Sequence, residues 1–128
     1  MWQSLQYSNL LLRVGLAFVF LWLGIDKFIH PSYWLTAWIP AWLVAAASSV
    51  ALSGYGVAYL FGAFEVLVGI AIVANLFVST FAILGAVFLA VIPFFAGFGE
   101  IAVRDTGLIA ALLALAFWPR SRVSRTFL

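Results

Sequence analysis

From Val57 to Gly97 the chain is apolar almost without a break, and Glu65 is the only charged residue in that stretch. A helix needs about 20 such residues to cross the hydrocarbon of a bilayer, so the run is roughly two crossings long. It is therefore expected to fold back on itself. Asn75 to Thr80, reading Asn-Leu-Phe-Val-Ser-Thr, holds the turn and cap residues that suit the reversal. The rest of the chain has the same character. Of its 128 residues 67% are apolar and 8% charged, whereas an average soluble domain has about 45–50% and about 25%. A soluble fold of this size has too few polar groups to cover so much apolar surface. Soluble dinucleotide-binding domains, zinc modules and nucleic-acid readers are excluded on that ground.

The expected fold is an all-α membrane protein, a single four-helix membrane domain over residues 1–128. Spans are expected at about 10–29, 57–77, 79–95 and 104–118, the last ended by Pro119. The segment at about 31–53 is apolar enough to cross a membrane, but Pro40 cuts it. Trp34, Trp38 and Trp42 recur every four residues, as a stripe on one helical face would, and because Trp favours the membrane–water interface they are expected to act as membrane anchors. Pro31 is suited to begin a short helix, because its missing N–H needs no partner there. The segment thus reads as an interfacial helix over Pro31–Ile39 followed by a second short element, with a fifth span as the alternative. His30 is expected to cap that helix, and Pro93 with Gly97 and Gly99 to end the third span.

Charge placement orients the spans. With four crossings both termini face one side, and Arg13, Arg120, Arg122 and Arg125 all fall there. The opposite side has Lys27 and Arg104, each next to an aspartate. An excess of Lys and Arg marks the cytoplasmic side, so both termini are expected in the cytoplasm, with the C-terminal arginines as membrane anchors. Arg13 is read as an anchor too. A fifth span would separate it from those arginines. The first span lacks the basic start and small-residue cleavage site of a removable signal, and is expected to be retained.

Within the spans, Arg13, Ala17, Phe20, Gly24 and Lys27 fall in one narrow stripe at 100° per residue. Ala58, Gly62, Glu65 and Gly69 share a face of the next span, and small residues around an acid mark a surface where helices meet. Glu65 is expected to point into the bundle, roughly 12 Å below the outer end of its span. Lys27 or Arg104 is expected to reach it, while Asp26 and Asp105 stay at the interface and Glu100 in a loop. Ionisable residues inside a membrane are candidate functional groups. Lys27, Glu65, Arg104 and Asp105 are accordingly the candidate ligand-binding or proton-relay residues, and their alternative use is to pin helices together. With no cysteine and a single histidine, His30, the chain is expected to hold no haem or metal alone.

Three segments, taken in order, resemble the DoxX-like family of small four-helix membrane proteins. They are RVGLAFVFLWLGIDKFIHP from Arg13, FEVLVGIAIVANLF around Glu65, and VRDTGLIAALLALAFW around Arg104, Asp105 and Gly107. The resemblance implies a subunit in a bacterial or archaeal cell membrane, tied to quinone-linked or thiol redox systems. It further implies a quinone as cofactor and a redox-active membrane partner. Carried over by position, it makes Glu65 the proton or hydrogen-bond acceptor, with Lys27 and Arg104 as its charge partners. Two other functions remain open, an assembly scaffold with no site of its own and a small transporter working as a homo-oligomer.

Overall fold

The computed structural model describes residues 2–119, and Arg120, Arg122 and Arg125 lie outside them. The described residues form six helices and no strand: α1 (Trp2–Ile29), α2 (Pro31–Ala37), α3 (Ala41–Ser48), α4 (Gly54–Val73), α5 (Val78–Ala96) and α6 (Glu100–Ala116). By length and composition α1 and α4 can cross a membrane, and α5 contributes a shorter apolar stretch, Val78–Phe94. The long helices pack in a ring, α1 on α4, α4 on α5, α5 on α6, and α6 back on α1. Contact within the α1–α4 and α5–α6 pairs is far more extensive than contact between the pairs.

The outer surface is apolar, and the charged residues Lys27, Glu65 and Asp105 are buried inside, the reverse of a soluble bundle. On α1, Leu11, Phe18, Trp22, Ile25 and Ile29 face out and are exposed. The opposite stripe is the one expected from spacing, with Ala17, Phe20, Gly24 and Lys27 buried and Arg13 half-buried. On α4 the expected face is likewise buried, with Ala58, Gly62, Glu65 and Gly69 turned inward. A continuous apolar core fills one end of the ring, built from Phe20, Val68, Ile72, Ala82, Leu89, Leu112 and their neighbours.

Several boundaries depart from expectation. α1 starts at Trp2, well ahead of Leu10. α4 starts at Gly54, where the Ser53 hydroxyl accepts from the Gly56 N–H at 3.0 Å. It stops at Val73 because Asn75 and Phe77 adopt left-handed φ angles of 60° and 46°. A short polar side chain eases that conformation for Asn75, whereas Phe77 has no such relief. Pro93 lies inside α5 and does not end it. One missing donor does not stop a helix, and α5 runs on until Gly97 turns left-handed, at φ 88°. Glu100 belongs to the first turn of α6, where a negative charge suits the helix dipole.

Pro40, extended at φ −69°, splits the segment between α1 and α4 into two short helices. The tryptophans therefore share no single helical face. Trp34 lies on α2, Trp38 closes it, and Trp42 opens the first turn of α3. Ile39, Leu35, Leu43 and Val44 hold this segment against Val57 and Ala58 of α4.

The α1–α4 contact has no spare room at Gly24 and Gly62. A Cβ on either glycine would sit 2.8 Å from the carbonyl oxygen of the other. Gly24→Val is therefore expected to destabilise the bundle by at least about 1–3 kcal/mol, the usual range for overpacking. Thermal unfolding of detergent-solubilised protein, followed by helical circular dichroism, checks this. An unaltered midpoint would refute the close approach.

Candidate functional site

Opposite the apolar core, the ring does not fill. A cavity of about 460 Å³ lies among the end of α1, the α2–α3 segment, the first half of α4, the end of α5 and the start of α6. Leu23, Phe61, Phe88, Leu89, Val91 and Ile92 give it apolar walls. Asp26, Lys27, Glu65, Arg104 and Asp105 also line it. All four candidate residues are thus brought to one space.

Within that space they form two separate pairs. Lys27 Nζ donates to Glu65 Oε2 at 2.6 Å, joining α1 to α4, and both side chains are more than nine-tenths buried. The ammonium also lies 3.5 Å from the Leu23 carbonyl and 3.8 Å from the centre of the Trp34 ring. An aromatic face attracts a cation most where water is excluded. Arg104 does not reach Glu65. Its Nε and Nη2 both donate to Asp105 Oδ1, at 3.1 and 2.9 Å. The reason is positional, since the Arg104 side chain is half-exposed at 54% and so lies toward the outside of the cavity. Asp105 is 99% buried within the bundle, and its Oδ2 has no hydrogen-bond partner among the described residues. Trp38 Nε1 is buried and unpartnered in the same way.

A third polar cluster joins α1 to α2. Asp26 accepts from Trp34 Nε1 at 2.8 Å and is hydrogen-bonded to His30 Nδ1 at 2.9 Å. His30 occupies the cap position of α2, but its side chain makes no capping bond and turns back to Asp26. Trp34 is the residue that sequence reasoning missed here, since it was read only as an anchor. The signal available was the four-residue step repeated from Asp26 to His30 to Trp34. It continues across the α1–α2 break and places all three on one side. Among the described residues, no group of His, Cys, Asp and Glu side chains is arranged to hold a metal ion.

A family model described as DoxX matches residues 8–97. The chain belongs to the DoxX family. It is a small membrane protein with helices able to cross a bilayer. The segment matched to DoxX holds Asp26, Lys27, Trp34, Trp38 and Glu65, and ends ahead of Arg104 and Asp105. Neither curated proteins nor solved structures gave a match.

The Lys27–Glu65 pair sets a testable asymmetry. Removing one partner of a buried pair leaves the other charge without compensation, at a cost of about 3–5 kcal/mol. Replacing both with apolar residues of similar volume is often close to neutral. Lys27→Met is therefore expected to lower stability by roughly that amount, and Lys27→Met with Glu65→Met to regain most of it. Denaturant titration of the DoxX chain in bicelles compares the two. Equal loss in both variants would show that the pair is not what holds α1 to α4.

Proposed function

We propose that this chain is the quinone-binding membrane subunit of a redox complex, and that a partner protein supplies the redox centre. The observation that supports this reading is a cavity with apolar walls and buried charge, inside a bundle whose outer surface is apolar. Its volume falls in the range of about 300–1,000 Å³ usual for small-molecule sites. Phe61, Phe88 and Ile92 suit the faces of a flat ring. Lys27 and Arg104 suit the oxygens at its edge as donors, and Glu65 and Asp105 suit the hydroxyls of its reduced form, with Glu65 placed to accept a hydrogen bond or a proton. When bound, the quinone supplies two-electron, two-proton redox chemistry. The residues of this chain bind its head group, orient it and exclude water.

In this reading α1, α4, α5 and α6 all cross the membrane, and α2 and α3 lie at its outer face. The location is the inner membrane of a bacterial or archaeal cell, with both termini cytoplasmic. Support comes from Arg13 in the first half of α1 and Asp26 in its last turn. The scaffold reading has one observation in its favour, the direct fastening of α1 to α4 by Lys27 and Glu65.

Two measurements bear on these proposals. Glu65→Gln keeps the shape and a hydrogen bond to Lys27 but removes the charge. It is expected to reduce the hydroquinone retained through purification under reducing conditions by roughly tenfold or more, as loss of a charged acceptor for its hydroxyl would, with helical content unaltered. Full retention of quinone together with a lower yield of complex would favour the scaffold. Topology is tested by single cysteines, which the chain otherwise lacks. Labelling of intact cells with an impermeant maleimide is expected at Ser32→Cys and not at Ser4→Cys or Ser121→Cys. Label at either terminus would overturn the orientation.

A further inference from the structure

Two polar atoms in residues that line the cavity have no hydrogen-bond partner, Asp105 Oδ2 and Trp38 Nε1. Neither is a surface group. Asp105 is 1% exposed, and a buried carboxylate oxygen without a partner is costly enough that such atoms are few in native proteins. The geometry also fixes which oxygen is left over. Arg104 holds Oδ1 through both Nε and Nη2, so Oδ2 is the oxygen left over; it is fully buried at the cavity wall, and a ligand meets it when the Asp105 side chain turns toward the cavity. The two atoms differ in kind. A carboxylate oxygen paired with arginine accepts, whereas an indole N–H can only donate.

We propose that Asp105 is the specificity-determining residue of this cavity, and that it selects a ligand whose aromatic ring carries a hydroxyl, the O–H donating to Oδ2. Trp38 Nε1 then donates to a ligand oxygen. This rests on the quinone reading of the site and narrows it. A fully oxidised quinone has carbonyl oxygens that only accept, and offers Asp105 no donor. A hydroquinone offers both a donor and an acceptor. The site is thereby built to hold the reduced, hydroxyl-bearing form more tightly than the oxidised one. A preference of that sign favours reactions in which this cavity takes up the reduced ring.

The test is run without any reductant or redox partner, so that no electron transfer complicates it. The full chain in detergent is titrated by calorimetry with 4-hexylphenol, with its methyl ether 4-hexylanisole, and with a decyl-substituted benzoquinone. The phenol is expected to bind roughly tenfold to a hundredfold more tightly than the ether, the usual value of a hydrogen bond to a charged group. Asp105→Asn supplies the second reading. Arg104 needs an acceptor, so the amide is expected to turn its oxygen to Arg104 and its NH₂ to the cavity. The preference for phenol over ether should then vanish, and the benzoquinone should bind more tightly than to the native chain. Trp38→Phe should weaken phenol and benzoquinone alike while leaving the phenol-to-ether ratio in place. If the benzoquinone binds but phenol and ether are equal in the native chain, the role of Asp105 is wrong and the quinone site stands. If none of the probes binds, both fall.

Discussion

The arrangement of this chain depends on one buried ion pair, Lys27 with Glu65. In a low-dielectric surrounding neither charge is tolerable alone, so each fixes the position of the other. Lys27 belongs to the last turns of α1 and Glu65 to the middle of α4. The pair therefore sets how far the two helices slide along each other. That register brings Gly24 opposite Gly62, and the backbones come into contact. It also leaves the ammonium where the Trp34 ring covers it, so α2 is drawn over the end of the bundle. These charged groups stand on the wall of the cavity, among its apolar lining.

The buried polar groups also account for the inverted surface. Lipid offers no partner for a charge but an adequate solvent for Phe18, Trp22 and Ile25, which point outward from α1. Burial here is governed by polarity and by small residues that permit contact, since apolar packing against lipid and against protein differ little. Lys27, Glu65 and Asp105 are each at most 5% exposed, while large apolar side chains such as Val103 are largely exposed.

Much of this was legible in the sequence. A single charge in a long apolar run has one plausible direction, inward, so Lys27 and Glu65 could be placed on facing stripes by counting alone. Gly24, Gly62 and Gly69 were readable for the same reason, because spacing along a regular helix is also direction. Legibility failed where the helix was not continuous. At Pro40 the 100° rule loses its axis, so the tryptophan stripe was an artefact of counting through that break. Pairing choices were also beyond reach. Whether Arg104 turned to Glu65 or to its neighbour Asp105 depended on where the start of α6 lay relative to α4, and no local pattern encodes that. The unpartnered Asp105 oxygen follows from that choice and was hidden with it.

The two ion pairs are distributed in a way that bears on how the cavity can change size. Lys27–Glu65 is internal to the α1–α4 pair, and Arg104–Asp105 is internal to α6. No salt bridge among the described residues crosses from one helix pair to the other. The seam between the pairs is also where their contact is thinnest, and the cavity straddles it. Small relative movement of the two halves would thus alter the distance between Glu65 and Asp105 without separating either charge from its partner. The electrostatic work of breathing along this seam is low, and the bundle can widen around a guest while every strong bond that holds it together stays made.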